Sequence, residues 1–147
     1  MSYTHNNKVS GINGFSVGKK GSEIDIFNSA GILQFMKTDV VAHSKSYEVT
    51  PEDSGKVLTT TGATGAVTFT LPEKESGLVY LFINTVDQEM VIAPDKNDTI
   101  VTLNDAAADS VTFSTASQKI GACVLAICDG AKWIVINLST NTATIAT

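Results

Sequence analysis

Two histidines, His5 and His43, are the obvious starting points for catalysis in this 147-residue chain. Neither stands in the Ser–Asp or Cys setting that a nucleophile with its general base requires. The run "EID" places Glu23 and Asp25 two apart, on one face of a strand. Such a pair could do acid–base work only in a pocket that raises one pKa, and its plainer reading is the solvated edge of a hairpin. "PDKNDT" offers Asp95, Asn97 and Asp98 as oxygen ligands but lacks the closing bidentate Glu of a calcium loop. Asp105 and Asp109 in "NDAAADS" read as another polar loop. Zinc needs several Cys or His at short spacing, and none stand together. "GKKGS" at 18–22 fails the Gly-x4-Gly-Lys-Ser/Thr spacing of a phosphate loop. No catalytic residue, metal ligand or cofactor is assigned.

Bulk properties narrow the partners. The chain has 10 Lys, no Arg and a net charge of −5, with no basic cluster beyond Lys19-Lys20. Phosphate-backbone binding needs a concentrated cationic footprint, so nucleic acid is not an expected partner. No apolar run approaches a membrane span, and "MSYTHNNKVSG" lacks the charged-then-apolar pattern of a signal peptide. Synthesis in a cytoplasm is the expectation, with no membrane partner. Cys123 and Cys128 are five apart in "CVLAIC"; on a strand they point to opposite faces and cannot pair.

The elements that must position any site are strands. Short apolar runs of period two, each followed by a turn cluster, fall at 23–27, 33–36, 46–49, 56–60, 66–71, 78–84, 90–93, 99–103, 110–114, 120–128 and 132–138. This pattern predicts an all-β fold, an antiparallel sandwich or barrel of jelly-roll type. In "AVTFTL", Val67, Phe69 and Leu71 share the dry face; in "DSVTFS", Val111 and Phe113 do. "LVYLFI" at 78–83 and "IGACVLAIC" at 120–128 are apolar on both sides. They are expected to lie centrally or against a second subunit. Asp129-Gly130 favours a tight turn between 120–128 and 132–138. Trp133, just after it, reads as a core or interface anchor rather than a sugar-binding platform.

Residues 1–45 differ from the rest. Five of the eleven Gly fall between Gly11 and Gly31, and "EIDIF" and "ILQFM" flank "NSAG" as one small hairpin. Two strands alone are marginal in water. The hairpin therefore packs on a partner or closes the domain's own sheet. The expected division is an arm at 1–45 and a β-sandwich oligomerisation domain at 46–147.

"VTPEDSGKVLTTTGATGAVTFTLP", the strand "GLVYLFIN" and the hairpin "IGACVLAICDGAKWIVINL" together resemble tailed-bacteriophage capsid decoration proteins, the cement and head-fibre proteins. The similarity covers about residues 48 to 138, and "GFSVGKKGSEIDIFNSAGILQF" is similar to their N-terminal segment. The resemblance implies a non-enzymatic virion protein, made in the host cytoplasm and seated on the outer capsid surface, commonly as a homotrimer. Its partner would be the major capsid protein, met through an arm carrying Phe15, Val17, Ile24, Ile26, Phe27, Leu33 and Phe35. Tyr80, Phe82 and Trp133 are assigned to the oligomer interface. The alternative is a tail- or head-fibre tip that binds a host receptor or surface glycan, with Trp133 or Tyr80 in an exposed groove.

Overall fold

A computed structural model describes strand residues 15–17 and 24–27, and residues 38–147 apart from 97. The chain forms two compact units, Met1–Lys37 and Thr38–Thr147. In the first, β1 (Phe15–Val17) pairs antiparallel with β2 (Ile24–Phe27). The expected partner strand at 33–36 lies outside the described residues.

The second unit is an all-β sandwich of two sheets. Its strands are β3 (Val40–Ala42), β4 (Tyr47–Glu48), β5 (Val57–Thr59), β6 (Val67–Thr70), β7 (Val79–Ile83), β8 (Met90–Ala93) and β9 (Ile100–Thr102). They continue as β10 (Asp105–Ala108), β11 (Ser110–Phe113), β12 (Cys123–Cys128), β13 (Trp133–Asn137) and β14 (Thr144–Ala146). One sheet has the order β10-β9-β13-β12-β7-β5-β3 and the other β14-β11-β8-β6-β4. The sheets stay open at their edges and do not close into a barrel.

The sandwich starts earlier than residue 46, because Val40–Ala42 pairs with Val57–Thr59 as an edge strand. Strand direction also departs from expectation. From β3 to β9 the chain changes sheet at every step, and two crossings restore its direction. Hence β3, β5 and β7 are mutually parallel in one sheet, and β4, β6 and β8 in the other. Both sheets are therefore mixed. The connection after β5, where Gly62 adopts φ 85°, is an arch between sheets rather than a hairpin within one.

Arches place successive strands face to face, so alternate side chains fill one core. Phe69 of β6 meets Phe82 of β7 across the sandwich at 4.9 Å between ring centroids. Tyr80 lies 5.7 Å from Trp133, and both are fully buried. Val67, Phe69, Val111 and Phe113 face inward as their alternation requires. β7 and β12 lie centrally in the larger sheet.

The β12–β13 hairpin forms where Asp129-Gly130 predicts it. The Asp129 carboxylate accepts from the N–H groups of Ala131 and Lys132, at 2.8 and 2.7 Å, so that Cys128 pairs with Trp133. Gly130 adopts φ 94°, and a Cβ there would come within 3.1 Å of Ser76 Cβ. Both the left-handed backbone and the crowding oppose any other residue. Gly130→Ala should lower stability by about 1–3 kcal/mol, whereas Gly65→Ala, with open space around it and no positive φ, should be neutral or slightly stabilising. Urea unfolding of the two variants side by side checks this.

Candidate functional site

The residues that carry the resemblance converge on the arches, where a sandwich of this kind must satisfy backbone and side-chain polar groups away from water. Thr50 precedes a 3-10 turn at Pro51–Asp53, with proline at its first position. Asp53 Oδ2 accepts from the Thr50 N–H, the Thr50 hydroxyl and the Tyr47 hydroxyl, each at 3.0 Å, while Oδ1 accepts from Lys56 Nζ at 2.8 Å. Burial by itself would raise the Asp53 carboxyl. The hydrogen bonds from Lys56, Thr50 and Tyr47 outweigh it and hold the group at about 2. Tyr80 donates its hydroxyl to the Thr50 carbonyl at 3.0 Å, tying β7 to the same turn. Burial pushes that phenol up to about 12, so it remains a donor.

Two further latches have the same form. Thr60 Oγ1 donates to Asn84 Oδ1 at 2.6 Å and accepts from the Thr85 N–H, while Asn84 Nδ2 donates to the Gln88 carbonyl. This joins the arch after β5 to the arch after β7. Trp133 Nε1 donates to the Pro72 carbonyl at 3.1 Å, joining β13 to the Leu-Pro step that ends β6. The spacing Thr50-x-x-Asp53 is a capping-box signature and could have singled out Asp53. Asn84 carries no comparable signal.

Tyr80, Phe82 and Trp133, assigned above to an oligomer interface, are fully buried within one protomer. Their rings already contact each other and the opposite sheet, so they offer no side-chain area to a neighbouring chain. Nor does Tyr80 or Trp133 line an exposed groove for a glycan. Large aromatics on inward positions go to the core because that removes the most apolar surface from water. Among the arm residues, Phe15, Val17, Ile24, Ile26 and Phe27 fall on β1 and β2; Leu33 and Phe35 lie outside the described residues.

Among the described residues the remaining candidates do not assemble; His5, Glu23 and Asn97 lie outside them. The His43 ring stacks on Tyr47 at 4.0 Å and meets the edge of Phe69 at 5.7 Å, with Nε2 unpartnered. Burial lowers its pKa despite the attraction of Asp53. Asp98 forms an ion pair with Lys74, and Asp105 accepts from the Ala107 N–H. Among the described residues no cluster of His, Cys, Asp and Glu could hold a metal ion. Cys123 and Cys128 are free thiols on opposite faces of β12.

The two outer faces of the sandwich differ. The five-stranded sheet turns Thr68, Thr70, Ser110 and Thr112 outward, half-buried, with Val91 and Ala93 of β8 between them. On the seven-stranded sheet, the register aligns Val40, Val57, Leu81, Leu125 and Ile136 in one outward row across five strands. A second row runs Val79, Ile127, Ile134 and Val101. At the β9–β10 end the surface dips into an open depression of about 500 Å³ lined by Val101, Leu103, Ala106, Ile134 and Ile136.

The Asp53 latch makes a pH prediction. Its folded-state pKa lies below the unfolded value near 3.9. Its stabilisation is thus present above about pH 4 and is lost as the pH falls toward about 2. Asp53→Asn should cost roughly 1–2 kcal/mol at neutral pH and flatten the acid limb of the stability curve, read from urea midpoints across the acid range. An unchanged acid limb would assign the acid sensitivity to other groups. Neither a protein-family model nor a curated protein sequence matches this chain.

Proposed function

We propose that this chain is a non-enzymatic structural protein of a virion, a decoration or cement protein that binds the outer surface of a phage head and stabilises it. The observation that carries the reading is the use made of the motif residues. Asp53, Thr50, Pro72, Asp129, Gly130 and Trp133 are spent on latching arches and turning a hairpin. Residues used this way make a sturdy module rather than a reaction centre, and a shell-reinforcing protein works through area and rigidity.

In this reading the segment before the sandwich engages the major capsid protein. Phe15, Val17, Ile24, Ile26, Phe27, Leu33 and Phe35 supply more apolar surface than a small hairpin can hide, and backbone pairing with an exposed strand edge would satisfy its polar groups. Assembly as a homotrimer would offset the ordering cost by multivalency. The Ser- and Thr-bearing outer face of the five-stranded sheet suits a surface turned to water. The fibre-tip alternative loses its aromatic platforms, because Tyr80 and Trp133 are core residues.

Full-length protein labelled at its N-terminus and mixed with isolated phage heads should co-sediment with them saturably. Phe15→Ser combined with Ile24→Ser and Ile26→Ser should reduce binding more than about tenfold, the scale of losing several buried apolar anchors. Circular dichroism and solution mass of that variant should match the parent. A parent protein that ignores the heads overturns the decoration reading; a variant that binds like the parent overturns the arm assignment.

A further inference from the structure

Among the described residues nothing covers the apolar outer face of the seven-stranded sheet. A sheet with one side in water alternates apolar and polar residues, and the five-stranded sheet does so on β6 and β11, with Val91 and Ala93 of β8 the apolar exceptions between them. The seven-stranded sheet does not: Val79, Leu81, Leu125, Ile127, Ile134 and Ile136 all point away from the core. None of the outward positions on β5, β7, β12 and β13 just described carries a charge. Ile136 is 41% exposed and, at the rim, Leu103 is 57% exposed.

Leu103 adds an independent observation. It and Asn104 form the two-residue turn between β9 and β10, with φ values of 37° and 70°. Asn tolerates such a backbone, whereas Leu is strained there. The turn thus holds a leucine in an unfavourable conformation and displays its side chain beside the apolar depression. Local strain with an exposed apolar side chain marks a position kept for contact rather than for folding.

We propose that the outer face of the seven-stranded sheet is the interface between copies of this chain. Charge selects the occupant. The chain carries a net charge of −5, yet no acidic residue stands among the outward positions of β5, β7, β12 and β13, Asp105 lying at the rim in the depression, so two copies can meet over those four strands without bringing carboxylates together. Across β7, β12 and β13 the outward side chains carry no charge and most are aliphatic, so the face suits contact with the same chain around a closed symmetry axis. Six strands about 4.8 Å apart and about 10–20 Å long span a flat footprint of about 400 Å². That is at the scale of patches that mark interaction sites. Two such faces cover about 800 Å², the scale of a weak, concentration-dependent contact. The contact uses the outward residues in place of Tyr80, Phe82 and Trp133, and it does not rest on the capsid reading.

Light scattering and sedimentation velocity on the full-length chain, from low to high micromolar, should give a multiple of the 15.5 kDa protomer mass. Leu125→Lys, which sets an unpaired charge in the centre of the contact, should weaken association by more than about 100-fold with an unchanged circular-dichroism spectrum. Cys123 lies on the same face, so its maleimide labelling should accelerate as the oligomer dissociates. Should Leu125→Lys not fold, Leu103→Asn decides: it relaxes the turn, so stability should hold or rise while association weakens. A parent chain that is monomeric throughout, even with Cys123 protected by some other cover, overturns the proposal. So does a folded Leu125→Lys, or a Leu103→Asn, that associates like the parent. A chain that self-associates but ignores phage heads retains this interface and loses the capsid function.

Discussion

Sheet crossing is the constraint on which the sandwich depends. From β3 to β9 every strand hands the chain to the opposite sheet, so each connection bends over the end of the core instead of turning beside its own strand. Peptide groups at such a bend lie outside both ladders, and those tucked under the surface need partners. Asp53, Thr60 with Asn84, and the Trp133 indole supply them. Parallel pairing within each sheet then follows from direction alone.

The latches also explain how the core aromatics divide their roles. Phe69, Phe82 and Phe113 contribute apolar area only and sit wholly inside. Tyr80 and Trp133 are equally buried, yet each has a polar tip that reaches a backbone carbonyl at a crossing. A buried aromatic with a satisfied donor fixes both depth and angle, which a phenylalanine cannot do. The resemblance motifs, Asp-Ser-Gly, Leu-Pro and Asp-Gly-x-x-Trp, sit at these points. In this chain those letters serve to close the sandwich.

Much of the fold was legible because a half-exposed strand writes its two faces into alternate residues. The strand at Met90–Ala93 was read residue for residue, and Asp129-Gly130 announced its hairpin. What escaped was physical information that spacing does not hold. A connection of a few residues fits a hairpin or an arch equally well, so strand direction was hidden. β10 was read as a loop because Ala106 and Ala107 have weak strand preference and its turn uses Leu103-Asn104 without glycine. For strands apolar on both sides, periodicity says nothing about which side is inner. The aromatics at 80, 82 and 133 were placed at an interface, whereas the core took them and left the aliphatic residues outside. The site reading suffered accordingly, since Asp53 was visible only as part of a motif and Asn84 not at all.

The order in which the larger sheet is completed bears on how the protein is made. β7 needs β12 as its second neighbour, and β9 needs β13. The late hairpin thus inserts as a wedge between two strands synthesised well before it. Until it emerges from the ribosome, β7 and β9 each have an unpaired edge, and β7 lies within "LVYLFI", an apolar, uncharged segment prone to pairing with other strands. Such long-range pairing slows folding and leaves nascent chains open to mispairing with one another. Completion of the larger sheet therefore waits on residues 123–137, and every strand pairing made before then is provisional.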